Sequence, residues 1–362
     1  MSTAVFEGEN PNNHSVNLGE QSSVSTEASP PPAAFLTQIL LGSLASQTLY
    51  VAAKLGIADH LVDGPKSVED LAKATDTDAP SLYRVLRALA SLGVFTEQDG
   101  RKFALTPTAE PLRSDVPDSL RDVAIFWGED WHWDVWGKIL YSVRTGKSAW
   151  GQTHGEEVFS FFEKNPEAAQ VFNRAMSSFS SVATAAVIEA YDFGGIETLV
   201  DIAGGHGRML TGILEANPKV RGVLFDLPHV IAGAREQVAA SKAAERVEFV
   251  DGDFFAEVPE GGDAYIMKHI IHDWDDERAL TILKNIKRAM KPGGRVLLVE
   301  AIIADGNNQD FGKLLDIEML VSPGGKERTA NEYRELFARA GLNMTRIVPT
   351  KSPYSVIEAV AA

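Results

Sequence analysis

The pattern of apolar and polar positions changes near Tyr191 of the 362-residue chain. Before that point apolar residues recur at helical spacing, in FLTQILLGSLASQTLYVAAKLGIADHL from Phe35 and again in SVEDLAKATDTDAPSLYRVLRALASLGVF. After it, β-branched runs alternate with helical stretches, in the order TLVDIA, RGVLFDL, VEFVDGD, AYIMKHI and RVLLVEA, and SVIEAV follows as a closing strand. This alternation predicts an α/β domain at 191–362, with a parallel sheet covered by helices on both faces.

The amino-terminal half divides into three predicted segments. Residues 1–33 are rich in Ser, Asn, Glu and Pro without an apolar period, which predicts a disordered tail. In 34–112, two helices joined by a polar turn lead into VFTEQDGRKFALT, where Asp99-Gly100 separates two β-prone runs. That order resembles a winged helix-turn-helix. A further helical region at 113–190 precedes the α/β domain.

The region 113–190 contains the aromatic stretch FWGEDWHWDVW, in which Trp127 and Trp131 could share one helical stripe. We interpret this stretch as helix packing or a subunit interface in preference to a ligand cage, and His132 as structural. Phe172 and Met176 lie at i, i+4 in VFNRAMSSFS and offer adaptable apolar surface. They are our candidates for the floor of a substrate pocket, although they could equally fill core.

Composition narrows the classes of function. The hydrophobic content of 44% is enough for two packed domains, and no apolar run reaches the roughly 18 residues of a bilayer span. We therefore expect no membrane association and, without a secretory signal, a cytoplasmic location. The lack of cysteine excludes disulfides and thiolate metal sites. The net charge of -16 disfavours nucleic acid and favours a small-molecule partner.

The winged-helix-like segment requires a separate test, because such modules often bind DNA. Between Lys66 and Lys102 six basic residues are balanced by six acidic ones, unlike a phosphate-binding face. The basic residues are Lys66, Lys73, Arg84, Arg87, Arg101 and Lys102, and the acidic ones are Glu69, Asp70, Asp76, Asp78, Glu97 and Asp99. We expect no nucleic-acid partner.

A candidate nucleotide site follows the first strands of the α/β domain. LVDIAGGHGRML is a strand, a glycine-rich turn and a helix, but the third glycine of a dinucleotide fingerprint is replaced by Leu210. Asp201, Asp226 and Asp253 lie on or just after three successive strands, whose carboxyl ends share one crevice. Asp226 could accept two ribose hydroxyls and Asp253 an adenine amine, with Phe254 stacked on the ring. Each acid could instead cap a helix.

The stretch HIIHDWDDE, from His269 to Glu277, suggests a metal site, a catalytic base or a helix cap. Acidic residues in a first helical turn are favoured by the helix dipole and by free N–H groups. We therefore interpret its acids Asp273, Asp275, Asp276 and Glu277 as the start of a helix. For His269, a packed or surface role is preferred to metal ligation, and no metal site is predicted.

The ordered motifs DIAGGHG, FDLPHVI, DGDFF, MKHIIHDWDDE, KPGGRVLLVE and PGGKERT resemble those of S-adenosylmethionine-dependent O-methyltransferases of the caffeic acid and acetylserotonin type. The resemblance covers Phe35 to Val360. It implies a Rossmann-like class I methyltransferase domain preceded by a helical, winged-helix-like dimerisation domain, and a homodimer. It also implies S-adenosylmethionine as cofactor and, as acceptor, a hydroxyl of a small secondary metabolite, in particular a phenol.

Site residues follow from the resemblance position by position. It places Gly204, Gly205 and Gly207 beside the methionine part of the cofactor. It places Asp226 on the ribose, Asp253 and Phe254 on the adenine, and Lys268 at a further cofactor contact; we add Asp201 from its strand. One departure is Ala203, where plant members have the first of three consecutive glycines. We expect a local adjustment there without loss of cofactor binding.

The resemblance also implies a catalytic group. His272 matches the general base of the family, and Glu300 and Glu327 match the residues that flank and orient it. An unperturbed histidine pKa of about 6.5 would leave this base largely neutral at pH 7. Three other functions stay open: a C- or N-methyltransferase with a metal near His272 and His269, an inactive cofactor-binding regulator, and a winged-helix DNA regulator.

Overall fold

The computed structural model describes residues 31–117 and 119–362, and the chain divides into two compact units, Met1–Ser43 and Leu44–Ala362. Residues 1–30 of the predicted tail lie outside the described residues. Helix α1 spans Pro32–Lys54, so the last two residues of the predicted tail are helical. Proline is suited to the start of a helix because its missing N–H would have no intrahelical partner there.

Helix α1 departs from one expectation. By length and composition alone it could cross a membrane, whereas the sequence had indicated no such segment. The reason is that Thr, Gln, Ser and Gly interrupt its apolar run without adding a charge, and its one Asp, Glu, Lys or Arg residue is Lys54 at its end. Several of its apolar side chains are exposed, among them Leu36, Ile39 and Leu40. A single helix of this kind is weak evidence for a membrane span.

The next elements follow the predicted order of helices and hairpin. They are α2 (Ile57–His60), β1 (Lys66–Ser67), α3 (Val68–Thr75), α4 (Ala79–Ser91), β2 (Phe95–Gln98) and β3 (Lys102–Leu105). The three strands form an antiparallel sheet in the order β1-β3-β2. Asp78 ends the α3–α4 turn, and its carboxylate accepts a hydrogen bond from the Ser81 amide at 3.0 Å. Leu71, Leu86 and Phe103 are buried in the core of this region.

Short helices connect this segment to the sheet domain. After a 3₁₀ turn at Glu110–Leu112 come α5 (Arg121–Gly128), α6 (Asp130–Trp136), α7 (Ile139–Thr145), α8 (Ala149–His154), α9 (Val158–Lys164) and α10 (Pro166–Ala190). The ring of Trp131 packs against Phe126, Trp150 and Phe162, with centroids 5.7, 6.1 and 5.6 Å away. Helix packing is therefore the correct interpretation for Trp131. The single stripe is wrong, because α5 ends at Gly128 and Trp127 lies on a different helix.

The carboxyl-terminal domain is built on a mixed sheet of eight strands among the described residues. They are β4 (Thr198–Ile202), β5 (Arg221–Asp226), β6 (Val247–Asp251), β7 (Ala264–Lys268), β8 (Arg295–Ile303), β9 (Arg328–Thr329), β10 (Leu342–Pro349) and β11 (Tyr354–Ala361). Their order is β10-β11-β8-β7-β4-β5-β6, and β9 pairs with β8. Strands β4 to β8 are parallel, whereas β10 and β11 are antiparallel. Strand β10 was not predicted.

Helices cover both faces of this sheet. They are α11 (Arg208–Ala216), α12 (Pro228–Ala239), α13 (Asp276–Ala289), α14 (Phe311–Val321) and α15 (Ala330–Arg339), with 3₁₀ turns at Ala244–Arg246 and Ile271–Asp273. Successive side chains of β4 pack into two separate hydrophobic cores: Leu199 lies in the core on one face of the sheet, and Val200 and Ile202 lie in the core on the other. Strand order reverses between β4 and β7. Ligands of open α/β sheets bind at the carboxyl ends of the strands next to such a switch point.

Candidate active site

A cavity of about 810 Å³ lies at the switch point of the sheet. This volume is in the upper part of the range of roughly 300–1,000 Å³ that is usual for small-molecule sites. The strand-end side of the cavity is lined by residues that follow β4, β5, β6 and β7. A second part of the lining, which we call the helical wall, consists of residues of α5, α9, α10 and α14.

Most of the predicted site residues line this cavity. They are Phe172, Met176, Asp201, Gly204, Gly205, Asp226, Asp253, Phe254, Lys268 and His272. Three others do not line it. Gly207 precedes α11 with a φ of 77°, which favours glycine. Glu300 and Glu327 are buried and contact His272.

The glycine-rich turn is shaped by close packing beneath it. A Cβ at Gly204 would lie 2.5 Å from Leu224 Cδ1 and 2.6 Å from Asp201 Oδ2, so no larger residue fits without a shift. Gly205 has a φ of 58°. Ala203 also has a positive φ, of 53°, which costs a non-glycine residue about 1–2 kcal/mol. The local adjustment expected at Ala203 is therefore a left-handed backbone conformation, the one that a glycine would adopt at this position of the turn.

The strand-end acids have different surroundings. Asp226 accepts hydrogen bonds from the Gly205 and Leu227 amides at 2.8 and 2.7 Å, so it fixes the turn directly. Burial raises its pKa. Burial also raises the pKa of Asp201, to about 7, and Oδ2 of Asp201 has no partner among the described residues. Asp253 is exposed and accepts from the Phe255 amide through Oδ1 alone. These carboxylates keep free acceptor sites toward the cavity.

Lys268 ends β7 at the centre of the cavity. Burial lowers its pKa to about 8, although Glu300, Asp201 and Asp273 oppose that shift. Its Nζ lies 3.2 Å from Nδ1 of His269. Lys268 thus interacts with Asp201 and Asp273 and contacts His269.

His272 lies in the 3₁₀ turn after β7, where its ring is buried against carboxylates. Nδ1 lies 2.6 Å from Glu327 Oε1 and 3.4 Å from Glu300 Oε2. Glu300 is held in turn, because its Oε1 accepts from the amides of Ile270 and Ile271. The other ring nitrogen, Nε2, is 3.6 Å from Asp273 Oδ1, too far for a good hydrogen bond. Nδ1 is thus hydrogen-bonded to Glu327, whereas Nε2 has no close partner and is available to a bound substrate.

The charge of His272 differs from the expectation. Burial alone would lower its pKa, but Glu300, Glu327 and Asp273 outweigh burial and raise the pKa to about 10. At pH 7 the ring is therefore an imidazolium, and the expectation of a largely neutral histidine is wrong. The unperturbed value failed because the sequence does not show that three carboxylates converge on one ring. Burial raises the pKa of Glu300 to about 7; Glu327 and Asp273 add to this shift, and His272 opposes it.

The acids of HIIHDWDDE divide between helix and site. Asp275 caps α13 by accepting from the Arg278 amide at 2.9 Å, and Asp276 and Glu277 occupy its first turn, as predicted. For Asp273 the prediction is wrong. It ends the preceding 3₁₀ turn, lines the cavity and has a pKa that burial raises to about 6.

His269 also lines the cavity, with its ring between two others. Centroids of Tyr354 and His272 lie 4.1 and 5.4 Å from it. Burial and the neighbouring Lys268 lower its pKa well below the usual value, so the ring is neutral. The packed role preferred from the sequence fits this environment, in which the backbone adopts a φ of 57°.

One group of side chains has the composition of a metal site. Ligand atoms of His272, Glu300 and Glu327 lie within 4.8 Å of one another. His269 is not part of the group. The short distance between Nδ1 of His272 and Oε1 of Glu327 is also that of a strong hydrogen bond. The arrangement of these three side chains therefore does not require a metal ion.

Several lining residues were missed from the sequence. The helical wall presents aromatic rings from α5, α9 and α10, including Phe126, Trp127 and Phe162. Trp127 belongs to the aromatic stretch that we had assigned to packing. Glu318 of α14 and Tyr354 also line the cavity. Glu318 had one local signal, an acid within the apolar run DIEMLV, whereas Tyr354 had none.

Comparisons with known proteins agree with this geometry. Residues 136–343 match the model of an O-methyltransferase domain, and residues 37–115 match that of an O-methyltransferase dimerisation domain. The chain is 45% identical to a phenazine O-methyltransferase of Lysobacter antibioticus, over 91% of this chain and 96% of that protein. It is 37% identical to an 8-amino-8-demethylriboflavin N,N-dimethyltransferase of Streptomyces davaonensis, over 86% and 90%.

A solved structure gives the same result for the fold. Human N-acetylserotonin methyltransferase in complex with S-adenosylmethionine superimposes with a TM-score of 0.85 and 27% identity, over 92% of this chain and 99% of that one. The strand order, the glycine-rich turn and the cavity are those of a class I methyltransferase, and the family uses S-adenosylmethionine. The chain therefore belongs to the S-adenosylmethionine-dependent O-methyltransferases that carry an amino-terminal dimerisation domain.

Proposed function

We propose that this enzyme methylates a hydroxyl, in particular a phenolic hydroxyl, of a small secondary metabolite, with His272 as general base. One observation carries the proposal. His272 lines the cavity that also contains the glycine-rich turn, and its Nδ1 is hydrogen-bonded to a buried carboxylate at 2.6 Å. A base held in this way leaves Nε2 free to accept the proton of the acceptor.

The cofactor side is the strand-end side of the cavity. When bound, S-adenosylmethionine supplies an electrophilic methyl group on a positively charged sulfur. Gly204 and Gly205 border its methionine part, Gly207 supports the turn from outside the cavity lining, and Asp226 holds the ribose. The remaining proposed contacts are Asp201, Asp253, Phe254 and Lys268. The unpartnered Oδ2 of Asp201 and the closeness of Gly204 to its neighbours support this assignment.

The proposed catalytic steps use the cluster around His272. In the free-base form of His272, which is the minor form at pH 7, Nε2 takes the hydroxyl proton, and Glu327 and Glu300 stabilise the resulting imidazolium. A pKa of about 10 for His272 matches an ordinary phenol, also about 10, so proton transfer between them is close to balanced. Phe172 and Met176 form part of the apolar surface under the acceptor ring.

The test is a panel of phenols, catechols, flavonoids and keto acids incubated with labelled S-adenosylmethionine. On the best phenol, His272→Ala should bind cofactor normally and lose about 10²- to 10⁴-fold in turnover, the range for a positioned base. His60→Ala, which removes an imidazole outside the cavity lining, is the control. Full turnover of a phenol by His272→Ala would refute the base assignment.

A second candidate is N-methylation of an aromatic amine, because one relative is named as an N,N-dimethyltransferase. A neutral amine attacks through its lone pair and needs no base before the transfer. His272→Ala should then retain turnover on an amine while losing it on a phenol. Metal content after purification addresses the further alternative of C-methylation assisted by a cation at His272, Glu300 and Glu327.

We further propose a cytoplasmic homodimer. The matched dimerisation domain and the exposed apolar residues of α1, including Leu36, Ile39 and Leu40, support a subunit interface there. The functional division remains the one expected from the sequence: dimerisation at 34–112, a pocket-forming helical region at 113–190 and cofactor binding at 191–362. Light scattering of the purified protein without detergent tests both the dimer and the membrane alternative for α1.

A further inference from the structure

Glu318 is a buried carboxylate on the helical wall that the proposed chemistry does not use. It lies on α14 and lines the cavity. Its Oε1 is 3.0 Å from Nε2 of His132, and its Oε2 accepts from Nε1 of Trp136 at 2.6 Å. Two rings from α6 therefore hold the carboxylate in one orientation at the cavity surface.

The contacts of Glu318 indicate that it is ionised. Nε2 of the buried His132 ring lies 3.0 Å from Oε1 of Glu318, and the charge interaction with this ring is the largest effect that favours the carboxylate form. Burial alone would raise the pKa of Glu318, but His132, Trp136 and Ser322 together hold it below its usual value.

The cationic groups of the described cavity lining lie on the strand-end side, where His272 is an imidazolium at pH 7, and not on the helical wall with Glu318. Among the lining residues that the structure describes, six are acidic and two are Lys or Arg. The acidic ones are Glu163, Asp201, Asp226, Asp253, Asp273 and Glu318, and the basic ones are Arg208 and Lys268. Both cations are on the strand-end side, after β4 and at the end of β7. The described residues of the helical wall thus offer Glu163 and Glu318 but no cation.

We propose that Glu318 selects the acceptor: a polycyclic phenol that is neutral or cationic, that presents a hydrogen-bond donor to this carboxylate and that carries no carboxylate of its own. The aromatic rings of the helical wall accept a flat ring system. The Glu318 carboxylate accepts from His132, Trp136 and Ser322, which leaves one of its about four acceptor sites for a donor on the acceptor molecule. An anionic substituent would be repelled by Glu318, and the described lining residues of the helical wall include no Lys or Arg to pair with it. The inference rests on the proposed function for the existence of a phenolic acceptor.

Three probes that differ in one ring substituent test this selection: a naphthol, the corresponding aminonaphthol and the corresponding hydroxynaphthoate. Binding to the cofactor-loaded enzyme is measured by quenching of tryptophan fluorescence, since Trp127 lines the cavity. Turnover is measured with labelled S-adenosylmethionine. Near pH 7.5 the hydroxynaphthoate is fully ionised, because carboxyl groups titrate at about 4. We expect the aminonaphthol to bind at least about tenfold more tightly than the hydroxynaphthoate.

Glu318→Gln removes the charge and keeps the shape, so it should reduce the binding ratio of aminonaphthol to hydroxynaphthoate by about tenfold. The matched control is Glu167→Gln, which removes the same charge from an exposed position of α10 outside the cavity lining. It should leave the ratio within about twofold, as expected for a screened surface charge.

Equal binding of aminonaphthol and hydroxynaphthoate by the wild-type enzyme would overturn the inference and leave the proposed function intact. Binding selection without methylation of any phenol in either panel would instead refute the proposed function. If Glu318→Gln does not fold, the binding ratio of aminonaphthol to hydroxynaphthoate in the wild-type enzyme still decides. A ratio near one would contradict selection by the charge of Glu318. An unchanged ratio in a folded Glu318→Gln would also overturn the inference.

Discussion

Glu327→Gln removes the closest charged neighbour of the proposed base while nearly preserving the shape of the side chain. In the native enzyme Glu327 Oε1 lies 2.6 Å from Nδ1 of His272, and Glu300 Oε2 lies 3.4 Å from the same atom. These carboxylates and Asp273 raise the pKa of His272 to about 10 despite its burial. The free base, which is the competent form, therefore appears only as the pH rises through that pKa.

The size of the effect follows from the contact that is lost. A hydrogen bond to a charged group contributes about 1.5–3 kcal/mol, and one pKa unit corresponds to about 1.36 kcal/mol. Losing the charged partner should thus lower the pKa of His272 by about 1–2 units. The direction is fixed, because a lost anion destabilises the imidazolium and not the neutral ring. Glu300 and Asp273 remain and should keep the pKa above that of a free histidine.

The assay is the pH profile of kcat/KM for a phenol between about pH 7 and pH 11, which spans the pKa of about 10 for His272 in the native enzyme. The alkaline midpoint should move toward lower pH by about 1–2 units in Glu327→Gln. The affinity for cofactor should not change, since Glu327 does not line the cavity. Glu335→Gln, at an exposed position of α15, is the matched control and should keep the native profile.

Superimposable profiles for the native enzyme and Glu327→Gln would refute this reasoning, because the hydrogen bond would then not set the titration. A shift of the midpoint toward higher pH would contradict it more strongly. A fall in the plateau without a shift would indicate that Glu327 only orients the ring.

Three other substitutions test the turn and the helix start. Gly204→Ala places a Cβ 2.5 Å from the buried Leu224 side chain, so it should destabilise the fold by about 1–3 kcal/mol and weaken cofactor binding. Gly233→Ala is the control and should do neither, because the closest contact of its Cβ is at 3.5 Å. Ala203→Gly should stabilise the protein by up to about 1 kcal/mol, because it relieves a φ of 53°; a clear loss of stability would contradict this. Asp275→Ala should cost about 0.5–2 kcal/mol as a lost helix cap. Thermal unfolding and fluorescence titration measure all three.

The sequence was sufficient for the features that depend on local pattern. Alternating β-branched and helical runs predicted five of the parallel strands and the closing strand, because buried parallel strands are short apolar runs between turns. Strand β10 was missed because it lies at the edge of the sheet, where polar residues such as Asn343, Thr345 and Arg346 interrupt the apolar pattern. Edge strands carry a weaker signal because fewer of their side chains are buried.

The candidate site was predictable as far as motifs reached. His272, Asp226 and the glycine turn were found because they follow strands, and the strand ends share one edge of the sheet. Glu318 and Tyr354 were not found, because they come from distant elements and meet the cavity only in the folded chain. The charge of His272 was missed for the same reason. Its pKa depends on carboxylates that lie 28 and 55 positions away in sequence, at Glu300 and Glu327.

The general-base role of His272 is the central claim, and single-turnover methyl transfer in His272→Ala tests it most directly. Cofactor and a phenolic acceptor are bound first, so that the measured rate reports chemistry and not binding. The account predicts a rate about 10²- to 10⁴-fold below that of the native enzyme, partly restored by added imidazole, which can enter the space left by the side chain. A rate equal to that of the native enzyme on the same phenol would contradict the account.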